Sequence, residues 1–563
     1  MMQRCVVWLF AIATGVVFSA AARADSATGR QGMVATVHPL ATDAGLAALR
    51  RGGNAVDAAV AAALTLGVVD GHNSGIGGGC FVLIRRADGV LAAIDGRETA
   101  PALAHRDLFI QNGQVQREWS ETGALASGTP GALAAYDLAI RQHGCLSLAE
   151  LLEPAARIAE CGFALDRVYA RDAKSARESL AGFQASRAVF LKADGSAYAL
   201  GEILKQADLA DTYRSIAQKG IAWFYNGPFA AQVEQWMQTH GGIVTKEDFA
   251  KYRAVSRRPI VTTYRDFSIV GFPPPSSGGV HVAQILNILE HFDLRAIYRE
   301  DQARFHHLLT EAMKLAFADR AHWLGDADFV EVPRGLADKT YAAQLAARID
   351  LSRATPVAGH GQPPGADRDF FNKHTTHIAA ADAEGCWVAV TSTINTNFGS
   401  KVVIPGTGVV MNNQMDDFSI QPGVPNVFGL VGAEANAIQA GKRPLSSMSP
   451  TIVLQDDQPI MTLGAAGGPT IITQVVQAIV RHIDLRQSLQ ESVASPRVHH
   501  QWSPDVLFLE KSCPSSLVEQ LQKFGHTLEM RSEIGVTQGI TQLTRDQFLG
   551  VFDPRVPGKA AGW

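Results

Sequence analysis

The sequence predicts a mixed α/β fold around an extensive buried core, and three patterns carry that expectation. Residues 55–69 are almost entirely Ala, Val and Leu, the composition of a helix with no solvent-facing side. Cys80-Phe81-Val82-Leu83-Ile84 and Ile460-Met461-Thr462-Leu463 are short apolar runs that read as strands. Residues 375–381 and 386–393 flank the turn-forming Asp382-Ala383-Glu384-Gly385 and read as a hairpin. Charged residues are 18% of the chain and hydrophobic residues 47%, against about 25% charged in an average soluble domain. That balance suits a big enzyme, as one composite unit or two to four domains, and excludes a disordered or collagen-like chain. The formal charge is −4 and basic pairs such as Arg50-Arg51 are isolated, so nucleic-acid binding has no footprint.

Taken in order, residues 1–24 pair a basic Arg4 with an apolar run and end in Ala22-Arg23-Ala24, the pattern of a secretory signal peptide. Asp25 then starts the mature chain, exported across the inner membrane to the periplasm; an uncleaved anchor is the alternative reading. Thr42-Asp43-Ala44 is expected to cap a helix running to Arg51, and Gly52-Gly53-Asn54 stops it. The glycine-rich run 74–79 follows a helix and precedes a strand, the reverse of a phosphate loop, so close backbone packing is the expected use. Residues 147–250 read as mostly helical, 261–270 as one strand, and 305–324 as a helix. On that last helix His307 and Glu311 lie four apart, spaced to share a metal, but no third ligand is evident and no CxxC pair suggests zinc. Five cysteines remain after the leader, with no pairing evident. From Ala354 a Pro- and Gly-rich stretch ending at Lys373-His374 reads as an exposed, mobile linker.

Thr375 begins the hairpin that follows. Pairing Ala381 with Cys386 sets Thr375 opposite Ser392, one residue from Thr393. Threonine favours strands by its shape alone, so the hairpin by itself leaves structure and catalysis both open.

Five motifs in order resemble the γ-glutamyltransferase family, from about Gly32 to the C-terminus. They are Gly52-Gly53-Asn54-Ala55-Val56-Asp57-Ala58-Ala59, Asp95-Gly96-Arg97-Glu98-Thr99-Ala100-Pro101, Thr375-Thr376-His377, Asn412-Asn413-Gln414-Met415-Asp416-Asp417-Phe418 and Arg443-Pro444-Leu445-Ser446-Ser447-Met448-Ser449-Pro450. The resemblance implies the four-layer αββα sandwich of an N-terminal-nucleophile hydrolase. It also implies self-cleavage between His374 and Thr375, leaving residues 25–374 and 375–563 as large and small subunits of one heterodimer. The cut makes chemical sense: a neutral hydroxyl needs a base beside it, and a freed α-amine has a reference pKa of about 7.7–8.0. Thr375 is the implied nucleophile, oriented by Thr393, with glutathione or another γ-glutamyl compound as donor. Water, an amino acid or a peptide is the acceptor, and no cofactor or metal is needed. Arg97, Ser446 and Ser447 are implied to hold the donor α-carboxylate, and Asn395, Gln414 and Asp417 its α-ammonium. The N–H groups of Gly467 and Gly468 are implied to bind the oxyanion.

Three positions depart from the family pattern. Phe428 stands where many bacterial members carry a lid tyrosine, Cys80 replaces a glycine, and Gly464-Ala465-Ala466 precedes the paired glycines where Ser-Pro is common. Two competing readings are a glutaryl (cephalosporin) acylase and an inactive binding relative. Asp417 argues against the first, since a glutaryl group has no ammonium to pair with it; the intact Thr375, Thr393, Arg97, Gly467 and Gly468 argue against the second.

Overall fold

The computed structural model describes residues 26–364 and 376–563. The expected leader, the expected cut at His374–Thr375, and Thr375 itself lie outside these residues. The strands of the two large sheets are β1 (Ser26–Gly29), β2 (Gly32–Thr36), β3 (Gly79–Arg85), β4 (Leu91–Gly96), β5 (Val255–Arg257), β6 (Ile260–Tyr264), β7 (Phe267–Gly271), β8 (Thr376–Asp382), β9 (Trp387–Thr393), β10 (Thr451–Gln455), β11 (Gln458–Ala466), β12 (Val536–Thr544), β13 (Gln547–Val551) and β14 (Lys559–Gly562). One sheet runs β1-β13-β12-β11-β10-β7-β6 and the other β14-β2-β8-β9-β3-β4-β5. Neighbours are antiparallel throughout. Both sheets mix strands from before and after position 375.

Side-chain alternation turns the sheets into layers. On β8, Ala379 and Ala381 join Phe81, Leu83, Trp387 and Ile452 in the core between the sheets. Ile378 and Ala380 face the other way, into a core with α1 (Pro39–Arg50), α2 (Ala55–Val69) and α3 (Ala132–His143). On the far side α4 (Gly278–Leu289), α5 (Gln302–Trp323) and α6 (Thr470–Ile483) cover Ile269, Val453, Met461 and Leu463. The order is helices, sheet, sheet, helices, the expected αββα sandwich. Every residue of α2 is buried, as its composition predicts, and Asn54 and Asp57 form a capping box at its start.

Four local expectations are corrected. His38, not Thr42, caps α1: Pro39 fits the first turn, and Thr42 lies inside the helix, its hydroxyl donating to Lys559 O at 2.9 Å. The single strand expected over 261–270 is a hairpin, broken where Arg265 takes a positive φ of 52° and donates to Glu290 O and Phe292 O. The β8–β9 register is one residue off the expected one: Ala381 pairs with Trp387 and Thr376 with Ser392. The cause is Asp382, which stays in the strand because its carboxylate accepts from Cys386 N at 2.9 Å and from Ala55 N, at the start of α2, at 2.8 Å. Finally, the stretch after Ala354 is pinned as far as Pro364. Lys314 Nζ donates to Thr355 O (2.6 Å), Thr355 N to Glu311 (3.0 Å), Trp502 Nε1 to Val357 O (2.8 Å) and Gly361 N to Asp319 (2.6 Å). Cys145 and Cys161, like the other described cysteines, are free.

Asp382→Ala removes both of those bonds, so it is expected to lower stability by about 1–3 kcal/mol. Chemical denaturation beside the unsubstituted protein measures it.

Candidate active site

The end of β4 delivers Arg97 into the interior. Its backbone N–H donates to Asp95 Oδ1 at 2.8 Å, and Asp95 is itself clamped by Arg257 at 2.7 Å and Arg443 at 3.1 Å. The fully buried guanidinium donates through Nε to Pro444 O (3.2 Å) and through Nη2 to Asp417 Oδ2 (2.6 Å). Glu98 lies 3.4 Å from Arg97 Nη1, but burial pushes its carboxyl up to about 8, leaving it neutral at pH 7. Asp417 is the closer of the two acids, at 2.6 Å against 3.4 Å.

Asp417 closes a short helical turn, Gln414–Asp417, that places Gln414 Nε2 3.4 Å from its carboxylate. Asn395, just past β9, has a positive φ of 80°; its N–H donates to Thr393 Oγ1 (2.8 Å) and its Nδ2 to Asn413 O (3.0 Å). Asn395 Oδ1 and Gln414 Oε1 are buried acceptors with no partner among the described residues. Across from them, Ser446 bridges to Ser276, and the buried Ser447 hydroxyl is also unpartnered. Buried polar atoms are normally satisfied, so this cluster of idle donors and acceptors around one ion pair marks a polar ligand's place.

The glycine-rich run behaves as expected of close packing: a Cβ on Gly78 would sit 1.9 Å from Thr393 O. That contact sets the end of β9, where Thr393 follows Ser392. Opposite it, β11 is followed by Gly467 and Gly468, with φ of 130° and 61°, conformations that favour glycine. Among the described residues neither N–H donates a hydrogen bond, and both sit just before α6, where a helix terminus attracts negative charge. Gly467, Gly468, Phe428 and Asn395 line a cavity of about 760 Å³. Arg97, Asp417, Ser446 and Ser447 lie back from its wall without meaningful exposure. The Phe428 ring rests on Gly468, where a Cβ would come within 2.9 Å of it. The Phe428 segment lacks a tyrosine hydroxyl but is held through its backbone, Val427 N donating to Asp416 at 3.1 Å and Gln501 Nε2 to Phe428 O at 3.3 Å.

Sequence reasoning missed Glu98, although it adjoins Arg97, because only burial decides its charge. It also missed Asp70, which accepts from Thr376 Oγ1 at 3.1 Å and is pushed up to about 6 by burial. His307 and Glu311 do meet a third candidate ligand, His526. Each is already engaged: His307 Nδ1 pairs with His526 Nε2 at 2.7 Å, and Glu311 with the Lys314 ammonium at 3.2 Å. The cluster is a satisfied network with a resident cation.

Two facing antiparallel sheets between helices, with a hairpin that opens directly after a threonine and faces a pair of idle glycine amides, define the class of the N-terminal-nucleophile hydrolases. The family model of gamma-glutamyltranspeptidase matches residues 41–563, and the chain belongs to that family. A glutathione hydrolase proenzyme of Escherichia coli K12 is 44% identical over 93% of this chain and 90% of its own length. The crystal structure of a cephalosporin acylase from Bacillus halodurans superposes with a TM-score of 0.86, at 30% identity, covering 96% of this chain and 97% of that one. A Helicobacter pylori gamma-glutamyltranspeptidase chain, 40% identical, covers 57% of this chain and 92% of its own, with a TM-score of 0.56.

Gly468→Ala places a methyl against Phe428 and strains a left-handed position. Steady-state assay of a γ-glutamyl anilide is expected to show kcat lower by on the order of 10²-fold, with circular dichroism unchanged.

Proposed function

We propose that this enzyme cleaves γ-glutamyl amides such as glutathione by way of a γ-glutamyl ester on Thr375, and passes the group to water, an amino acid or a peptide. Self-cleavage between His374 and Thr375 frees the α-amine of Thr375, which takes the proton of the Thr375 hydroxyl as the oxygen attacks the γ-carbonyl. The tetrahedral oxyanion is held by Gly467 N–H and Gly468 N–H. Collapse expels the amine product, which takes the proton, and the acceptor then repeats the attack on the ester. Thr393, which follows Ser392 on β9, carries the hydroxyl that orients the Thr375 nucleophile. The products of processing are residues 25–374 and 375–563, which stay together as a heterodimer, and the leader directs the chain to the periplasm.

The observation that carries this reading is the arrangement around Arg97 and Asp417. A γ-glutamyl donor brings a carboxylate and an ammonium on one carbon, and here a buried guanidinium and a buried carboxylate stand 2.6 Å apart. The idle Ser447 hydroxyl serves the carboxylate with Arg97 and Ser446, and the idle Asn395 Oδ1 and Gln414 Oε1 serve the ammonium with Asp417. A glutaryl donor would bring no ammonium to the Asp417 carboxylate and so forfeit that charge pairing.

On a denaturing gel the mature protein is expected as two chains of about 350 and about 189 residues. Thr375→Ala is expected to stay whole, and a split mutant would end the self-processing claim. A γ-glutamyl anilide is expected to turn over at least about 100-fold faster than the glutaryl anilide, because a site built to pair a polar group rejects analogues lacking it. Equal rates would remove Asp417 from donor recognition.

A further inference from the structure

Arg320, on α5, is only 1% exposed, yet its guanidinium makes a single hydrogen bond among the described residues, from Nε to Ser277 Oγ at 3.3 Å. Its Nη2 is buried with no partner among the described residues. The contrast with other buried arginines is direct: Arg97 faces Asp417, Arg443 faces Asp95 and Arg497 faces Asp553. Burial pulls Arg320 down to about 9, so it still carries its charge at neutral pH. Evolution rarely leaves a buried cation uncompensated, because desolvation is costly without a counter-charge.

Its surroundings say where the compensation comes from. Ser277, which accepts from Arg320, donates through N and Oγ to Ser446 O at 2.9 and 2.6 Å. The adjacent Ser276 bridges to Ser446, and the idle hydroxyl of Ser447 follows. The charge of Asp417 also reaches Arg320. With Glu98 neutral and Arg97 opposed by Asp417, Arg320 is the surplus positive charge of this region, standing directly behind the serine wall. A donor that brings its carboxylate to that wall and its ammonium to Asp417 supplies the missing anion.

We propose that Arg320 is a positioning residue of the donor pocket: acting through Ser277 and Ser446 from behind, its charge fixes the donor α-carboxylate against the Ser446–Ser447 wall and so sets which way round the donor lies. This rests on the reading of the pocket as a γ-glutamyl site. The test compares a γ-glutamyl anilide with the same compound whose α-carboxylate is a carboxamide, in the mature enzyme and in Arg320→Gln and Arg320→Lys. Arg320→Gln is expected to raise KM for the carboxylate donor by on the order of 10-fold, with kcat within about twofold and the carboxamide donor little changed. Arg320→Lys, which keeps the charge and is the safer variant for folding, is expected to recover most of the KM. Equal losses on both donors, or an unchanged preference between them in Arg320→Gln, would overturn the proposal. If Arg320→Gln does not fold, Arg320→Met, which removes the charge without adding a buried polar group, takes its place with the same expected and overturning outcomes. Failure of the unsubstituted enzyme on the γ-glutamyl anilide would sink the pocket assignment instead, which separates the two outcomes.

Discussion

The carboxylate of Asp382 holds the tip of the β8–β9 hairpin and the first turn of α2 at once. The side-chain period of a strand is two, so a slip of one residue there would exchange the two faces of β8. Ala379 and Ala381 would move to the helix side and Ile378 would be driven between the sheets. Where β8 faces β11 there is little room for it. Gly464 of β11 lies against the His377 ring, where even a Cβ would approach within 2.4 Å of Nδ1. Burial pulls His377 down to about 3, so it sits between the sheets as a neutral ring. One acidic side chain thus fixes the register, the register fixes the inter-sheet distance, and both aim the start of β8 at the glycines closing β11.

Charge is placed with the same economy. Asp95 is tied to Arg257 and Arg443, which freezes the end of β4 and leaves Arg97 little choice of rotamer. Two acids lie within reach of Arg97, and burial separates their roles: Glu98 is held neutral while Asp417 faces the guanidinium at 2.6 Å. The neighbouring Asp416, pushed up to about 6 by burial, accepts from Ser120 and from Val427 N. Adjacent residues of one short turn thus hold the Arg97 guanidinium and the segment that carries Phe428.

Much of this was readable in the chain itself. The all-apolar stretch of α2, the hairpin with its Asp-Ala-Glu-Gly turn, and Arg97, Asp417 and the serine pair at their motif positions all came from pattern and resemblance. The failures share a cause, which is contacts distant in sequence. The β8–β9 register turned on Asp382 meeting Ala55, more than 300 residues away. The stretch after Ala354 looked free because its partners Glu311, Lys314, Asp319 and Trp502 lie on other elements. His526 was invisible as a neighbour of His307 for the same reason. Arg320 had no local signal either, since its lack of a partner exists only in the folded interior.

The sheets interleave in a way that bears on assembly. In one, β2 lies between β14 and β8, and β9 lies against β3; in the other, β1 edges β13 and β7 edges β10. A break in the backbone before β8 would therefore free no surface and release no body. Parting the pieces would mean unzipping five strand pairings and opening the apolar layer between the sheets, which is equivalent to unfolding the molecule. The weave is far easier to make while the chain is continuous, when loop closure costs only conformational entropy and no encounter between separate molecules is needed. A continuous polypeptide thus acts as its own template, and the topology favours any cut before β8 coming after the fold is made rather than before it.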